Sequence, residues 1–260
     1  MATFLFDKTV FGPVKSRRLG ISLGINLSPN DSKLCSFDCL YCECGWNPDP
    51  KKVKAVLPTR EHFYASLEEQ LTKMAQDNEL PDVITFAGNG EPTMHPDFAA
   101  IVDDTLFLRD KLAPKARIAV LSNATMLHKA QVVEALKKVD DNILKLDSGI
   151  PETIQILNAP VGRFDLDKLE AQLKAFEGKL IIQTLFVRGE HRGVQFDNTT
   201  REELDAWMER IGQIKPSKVM IYTIARDTPL KSLEKVSKTE LNRIASLVRE
   251  KLGIEVEVSA

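Results

Sequence analysis

The sequence predicts an α/β fold, a partial (βα)6 barrel of the TIM type with parallel strands inside and helices outside. Three observations predict it. Strand-length apolar runs alternate with amphipathic segments of helical length along most of the 260 residues, the pattern of a parallel sheet built through helical crossovers. Several of these runs are apolar with little alternation, as strands covered on both faces are. Polar residues gather at or just past the C-terminal strand ends: Asn89 and Glu91, Asn123, Asp147, Arg188 and Arg226. In a parallel barrel those ends share one rim, where active sites form. The length suits one large domain, taken as residues 1–260 with an extension at 1–16 and a closing helix and strand at 237–260.

The first strand is read as Arg18–Leu27, where Leu19, Ile21, Leu23, Ile25 and Leu27 alternate with Gly20, Ser22, Gly24 and Asn26 at strand periodicity. A loop from Ser28 to about Pro58 follows and holds every cysteine. So long a structureless loop normally counts against an assignment; a bound metal would supply its order. A helix over Thr59–Asn78 places Phe63, Leu67, Leu71 and Met74 on one face behind Thr59 as N-cap. The strand Asp82–Ala87 leads into Gly88-Asn89-Gly90-Glu91-Pro92. Helices over Asp97–Leu112 and Leu127–Lys138 alternate with strands Arg117–Ser122 and Asn142–Asp147. In the second half a helix over Asp165–Phe176 precedes the strand Lys179–Arg188. Thr200 with Glu203, and Ser237 with Glu240, form capping boxes for two more helices, separated by the strand Lys218–Ile224. A short last strand is read at Ile254–Val258.

Composition narrows the function. Lys and Arg number 35 against 37 Asp and Glu, a net charge of −2, so there is no global basic excess for coating nucleic acid. Hydrophobic residues at 43% and charged residues at 28% are an ordinary globular balance. No apolar run reaches the roughly 18 residues of a membrane helix. The N-terminus has no basic segment ahead of its apolar residues, so no secretory signal is read there, and the expected location is the cytoplasm. All 4 cysteines lie between Cys35 and Cys44. A disulfide framework would spread them out; thiols clustered in a reducing compartment point to a metal site.

Cys35, Cys39 and Cys42 form C-x3-C-x2-C, with Cys44 two residues on. Structural zinc wants four ligands, usually in paired knuckles, and no second knuckle exists. A zinc-stabilised binding module without redox chemistry is the alternative from another class. Three thiolates on a four-iron cluster would leave one iron open to a further ligand.

This motif, with Tyr41 before its last cysteine, resembles the signature of the radical S-adenosylmethionine (SAM) superfamily, and Asn89-Gly90-Glu91-Pro92 resembles its GGEP motif with Asn89 in place of the first glycine. The stretches FGPVKSRRLGISLGINLSP, GNGEPTMHPDF, KLDSG and IQTLFVRG are similar to a narrower branch, which includes the catalytic domain of the enzyme that builds the wyosine tricycle on tRNA. The resemblance implies an oxidoreductase-type enzyme with a [4Fe–4S] cluster held by Cys35, Cys39 and Cys42. One electron from the cluster would cleave SAM, and the 5′-deoxyadenosyl radical would take hydrogen from a substrate, a tRNA nucleoside being one class. A glycyl-radical-type activating enzyme acting on a protein partner is the alternative within the superfamily, and a small-molecule substrate is equally open. The partner implied by the chemistry is a one-electron donor of flavodoxin or ferredoxin type.

The resemblance also implies SAM contacts: Tyr41 against the adenine, Asn89, Gly90 and Glu91 at the amino group, and Ser122, Asn123, Asp147 and Gln183 from strand ends. Each has a plainer reading as a cap, a turn former or a satisfied buried polar group. Lys145 shares a strand face with Asp147, which suits an internal ion pair or a binding contact. Tyr222 and Ile224 are candidates to line the adenine site, strand packing being the stronger reading for Ile224. Lys15, Arg17 and Arg18, and separately Lys51, Lys52 and Lys54, form small basic clusters of the kind usually found on solvated surface. Of the histidines only His95, just behind GNGEP, stands near a motif, and a turn role suits it best.

Overall fold

The structure is a computed structural model that describes residues 4–16 and 20–260. Arg18 and Leu19, which open the predicted first strand, and Arg17, which with Arg18 forms part of a basic cluster, lie outside the described residues. The chain forms two compact units. The first comprises Leu5–Cys35 and Asn47–Asn142; the second comprises Ser36–Trp46 and Ile143–Ala260, together with Phe4.

In the first unit, strand β1 (Val10–Ser16) pairs antiparallel with β2 (Gly20–Ile25). Strand β2 runs parallel to β3 (Val83–Phe86), and β3 to β4 (Arg117–Ser122). The segment read as an extension therefore contains a strand. Its register shifts between Phe11 and Val14, at the cis Gly12–Pro13 bond. Proline lacks the N–H a ladder needs and is confined to edges and bulges. The Phe11 ring occupies the place of a side chain at Gly24, where a Cβ would stand 2.1 Å from a ring carbon. Phe6 stacks on Phe11 with 3.6 Å between ring centroids.

Helix α1 (Arg60–Gln76) begins as predicted: the Thr59 hydroxyl accepts from the His62 N–H at 3.2 Å. Its Phe63, Leu67, Leu71 and Met74 are buried, each contributing about 1.5–3 kcal/mol relative to exposure. Helix α2 (Phe98–Leu112) buries Phe98, Ile101, Val102 and Leu108, and Phe98 meets Phe86 edge to face at 5.9 Å. Every residue of β3 is buried, which explains its unalternating apolar run. After α3 (Ala130–Leu136), Arg117 forks onto Asp141 with bonds of 2.8 and 2.6 Å. Asp141 opens β5 (Asp141–Lys145), and the chain passes from the first unit to the second within that strand.

In the second unit, β5 pairs parallel with β6 (Ile181–Leu185), β6 with β9 (Lys218–Tyr222), and β9 with β11 (Glu255–Ser259). The predicted strand Lys179–Arg188 is in fact two. After Leu185 the chain enters β7 (Val187–His191), which joins β8 (Val194–Asp197) and β10 (Glu234–Lys235) in a separate antiparallel sheet. Asn198 explains the break. Its side chain accepts from the Val187 N–H at 2.8 Å and donates to the Leu185 and Asp147 carbonyls at 2.8 Å, so groups that would continue the ladder are bonded by an amide instead.

Helix α4 (Pro151–Leu157) has no counterpart in the sequence reading. Proline here stands at the first helical position, where its missing N–H would have had no helical partner anyway. Helices α5 (Leu166–Lys174), α6 (Arg201–Ile214) and α7 (Lys238–Leu252) form near their predicted places. Thr200 and Ser237 accept from the Glu203 and Glu240 N–H groups at 3.4 and 3.2 Å, but neither glutamate returns the bond. Glu203 accepts from the Ser148 hydroxyl at 2.6 Å and from Thr153, and Glu240 from Arg188 at 2.7 Å. The fold is α/β with a mostly parallel sheet, as predicted. Among the described residues no helix is long and apolar enough to cross a membrane.

Candidate active site

In the first unit, the turn after β3 carries Asn89, Gly90 and Glu91. The backbone of Leu34 bridges it: the Leu34 N–H donates to Asn89 O at 3.0 Å and the Glu91 N–H donates to Leu34 O at 2.9 Å. Gly90 is required by this approach, since a Cβ there would stand 1.8 Å from Leu34 O. The bridge fixes the residue directly before Cys35.

Asn89 is fully buried, and its side chain takes the role of a strand neighbour. It accepts from the Phe6 N–H and donates to the Phe6 and Pro29 carbonyls, all at 2.8 Å. Glu91 gathers the end of β4: Oε1 accepts from the Ser122 hydroxyl at 2.8 Å and the Thr93 hydroxyl at 2.5 Å, and Oε2 from the Asn123 N–H at 2.7 Å. Burial pushes the Glu91 carboxyl above its ordinary range, and these donors pull it part of the way back. The Asn123 amide stands 3.5 Å from Cys35 Sγ, and the Cys35 N–H donates to Asn47 Oδ1 at 2.9 Å. His95 has the turn role expected of it: its Nδ1 accepts from the Asp97 N–H at 3.1 Å, which leaves Nε2–H to donate to Pro58 O at 2.9 Å.

In the second unit, Cys39, Tyr41, Lys145 and Asp147 meet around Asn158. Tyr41 donates to Asp147 Oδ2. Lys145 Nζ donates to Tyr41 Oη at 2.8 Å, lies 3.4 Å from Asp147 Oδ2 and stands 5.1 Å from the centre of the Tyr41 ring. Asp147 Oδ1 accepts from the Leu185 N–H at 2.9 Å. The carboxylate thus ties the segment just past β5 to β6 while neutralising Lys145, as a buried charge requires. Both plainer readings of this pair, an internal ion pair and a satisfied buried acid, are realised in the geometry. Gln183 is the strand partner of Lys145 and donates to Tyr222 Oη at 2.9 Å.

Burial pushes the Cys39 thiol up, with Lys145 opposing. Burial, reinforced by Asp147, pushes the Tyr41 phenol well up. For Lys145, burial alone would lower the ammonium pKa, but Asp147 and its neighbours outweigh burial and hold it above its ordinary value. Cys39 is therefore a protonated thiol without metal, and a metal would displace that proton.

None of the four cysteines is joined in a disulfide. Among the described residues no three or more His, Cys, Asp or Glu side chains are gathered closely enough to hold a single metal ion; a four-iron cluster asks instead for thiolates spaced one per iron. Soft thiolates suit iron–sulfur chemistry, and amide N–H groups face two of the three motif sulfurs, as hydrogen bonds to cluster sulfurs do. The donor set fits such a cluster. Sequence reasoning missed Asn158 and Asn47. Nothing local in the sequence could have found either contact.

Residues 30–176 match the radical SAM superfamily. The chain is 29% identical over 258 residues to GTPase Obg of Brachyspira hyodysenteriae, covering 98% of this chain and 35% of that protein. It spans about a third of that relative, whose name describes the longer protein. It is 32% identical over 227 residues to a UPF0026 protein of Synechocystis, covering 85% of this chain and 77% of the relative. Among solved structures, Streptococcus suis SuiB bound to S-adenosylmethionine aligns with a TM-score of 0.62 at 14% identity, over 88% of this chain and 49% of SuiB. Archaeal TYW1 aligns with a TM-score of 0.50 at 13% identity, over 88% of this chain and 71% of TYW1. At these identities the structural likeness is one of fold. The chain belongs to the radical SAM superfamily, whose members work with a [4Fe–4S] cluster and S-adenosylmethionine, and with the Synechocystis protein to the UPF0026 proteins.

Proposed function

We propose that residues 1–260 work as one radical SAM module in which Cys35, Cys39 and Cys42 each hold one iron of a [4Fe–4S] cluster. The observation that carries this is the C-x3-C-x2-C spacing on a loop whose first two cysteine sulfurs face the amides of Asn123 and Asn158. When bound, the cluster and SAM supply a 5′-deoxyadenosyl radical, formed by one-electron reduction of the sulfonium and cleavage of its C–S bond. The chain's own residues bind and orient. Gly90 lets the GNGEP backbone approach Leu34 and so sets Cys35 beside the turn assigned to the SAM amino group. Glu91 keeps the Ser122–Asn123 strand end against that turn. Asn89 supports the site through its backbone, its side chain being bonded to Phe6 and Pro29. Tyr41, Asp147 and Gln183 are assigned to the nucleoside end of SAM, with Lys145 fixing Tyr41 and Asp147. A flavodoxin- or ferredoxin-type donor supplies the electron in the cytoplasm, where thiols stay reduced.

The test is anaerobic reconstitution with iron and sulfide, reduction, addition of SAM and assay for 5′-deoxyadenosine. Product above a Cys39→Ala control supports the reading, and deuterium transfer into 5′-deoxyadenosine then identifies the substrate. A fully loaded wild-type cluster that neither binds SAM in titration nor forms product refutes it.

A further inference from the structure

Asn158 is fully buried at the end of α4 and is held there by the cysteine loop itself. The Asp38 N–H donates to the Asn158 and Ala159 carbonyls at 3.0 Å, the Leu40 N–H to Leu157 O at 3.0 Å, and the Val161 N–H to Ser36 O at 2.8 Å. Cys39 is thus laced to this segment on both sides. From that anchored position the Asn158 amide nitrogen lies 2.7 Å from Asp147 Oδ2, 3.0 Å from Tyr41 Oη and 3.4 Å from Cys39 Sγ. The amide oxygen is buried without a partner. The reverse orientation would set that oxygen against a carboxylate and a sulfur, so the acceptors dictate which way the amide points. Two N–H protons serve three acceptors. Asp147 takes one. Tyr41 Oη already accepts from Lys145, so a Cys39 thiolate becomes the stronger claimant on the other.

We propose that Asn158 is a positioning residue for the cluster, its amide donating to the Cys39 thiolate, holding that ligand's orientation and raising the cluster's reduction potential. This rests on the reading of Cys39 as a cluster ligand. The direction follows from charge: reduction adds an electron to the cluster, and a donor at a ligating sulfur favours the more negative state.

The experiment uses Asn158→Leu, which keeps the branched side-chain skeleton and removes the donor, with Asn158→Ala as a second variant that cannot overpack. Each protein is reconstituted, its iron and sulfide are counted, and its cluster is titrated anaerobically by electron paramagnetic resonance. Near wild-type iron content is expected, with a lower midpoint potential. A tenfold loss in the reduction equilibrium would read as about 59 mV for a one-electron couple. An unchanged potential in either loaded variant overturns the proposal and leaves the cluster reading intact. Failure of both variants to load also overturns it, since the residue is then needed for folding or loop assembly rather than for tuning. Wild-type protein that takes up no iron refutes the cluster reading itself, and this proposal with it.

Discussion

Replacing Gly90 by alanine tests whether the close approach of GNGEP to the cysteine loop is structurally required. Gly90 keeps an ordinary φ, so alanine adds no backbone strain of its own, and the entire effect is steric. The added Cβ would lie 1.8 Å from Leu34 O, 2.5 Å from Leu34 C and 2.7 Å from Ser28 Oγ. Relief to about 3 Å means moving the Leu34 backbone by more than an ångström, which side-chain rotation cannot do. The two bonds of the bridge, at 3.0 and 2.9 Å, are then lost or stretched. At about 1 kcal/mol each, with a further 1–3 kcal/mol for overpacking, the expected loss is about 3–5 kcal/mol. For a chain of this size that lowers Tm by roughly 6–20 °C. The assay is thermal unfolding of the metal-free protein, followed by iron uptake, which should also fall because Cys35 is next to Leu34. Gly193→Ala is the control: it has open space and a φ of +79°, so it should cost only about 1–2 kcal/mol through its left-handed backbone. A Gly90→Ala protein that melts with wild type and loads normally refutes the steric argument.

Cys35→Ala, Cys39→Ala and Cys42→Ala should each abolish the visible absorption of the reconstituted cluster or its reactivity with SAM, and Cys44→Ala should leave both. Iron lost only in Cys44→Ala would show that the ligand assignment is wrong. Asn89→Ala removes three side-chain bonds to Phe6 and Pro29 and should lower stability by about 2–3 kcal/mol, measured by urea denaturation; SAM affinity should change little once folding is restored at low temperature, because the proposed contact is through backbone. Glu203 titrates above its ordinary value because it is buried, although Ser148 and Thr153 hold its charged form. Its folded-state pKa is raised, so its contribution is fully present below the unfolded value and is lost as pH rises through the folded one. The Tm of Glu203→Gln relative to wild type should therefore climb from pH 4 to pH 7, and a flat difference would contradict the assignment.

The cysteine spacing, the alternation of strand and helix lengths and the Thr59, Thr200 and Ser237 caps were all legible in the sequence, because each is encoded within a few residues of itself. The loop Ser28–Pro58 was legible as a loop, but what orders it was not. Its backbone is tied through Leu34 to Gly90 and through Asp38 and Leu40 to the end of α4, partners far away along the chain. The same holds for the site. Asn89 reads as an altered motif glycine, and only the fold shows its amide serving Phe6, 83 positions away. Tyr41 and Asp147 are 106 positions apart, so periodicity could place Asp147 and Lys145 on one strand face but could not supply the phenol and amide that share their charge. The break after Leu185 belongs to this class too, since LFVRG is apolar enough to continue as a strand and is diverted by the side chain of Asn198. By itself the sequence determined the chemistry-bearing residue types and the order of elements, through local propensity and spacing. The tertiary structure decided which buried polar groups satisfy one another, because a buried donor or acceptor must find its partner wherever in the chain that partner lies.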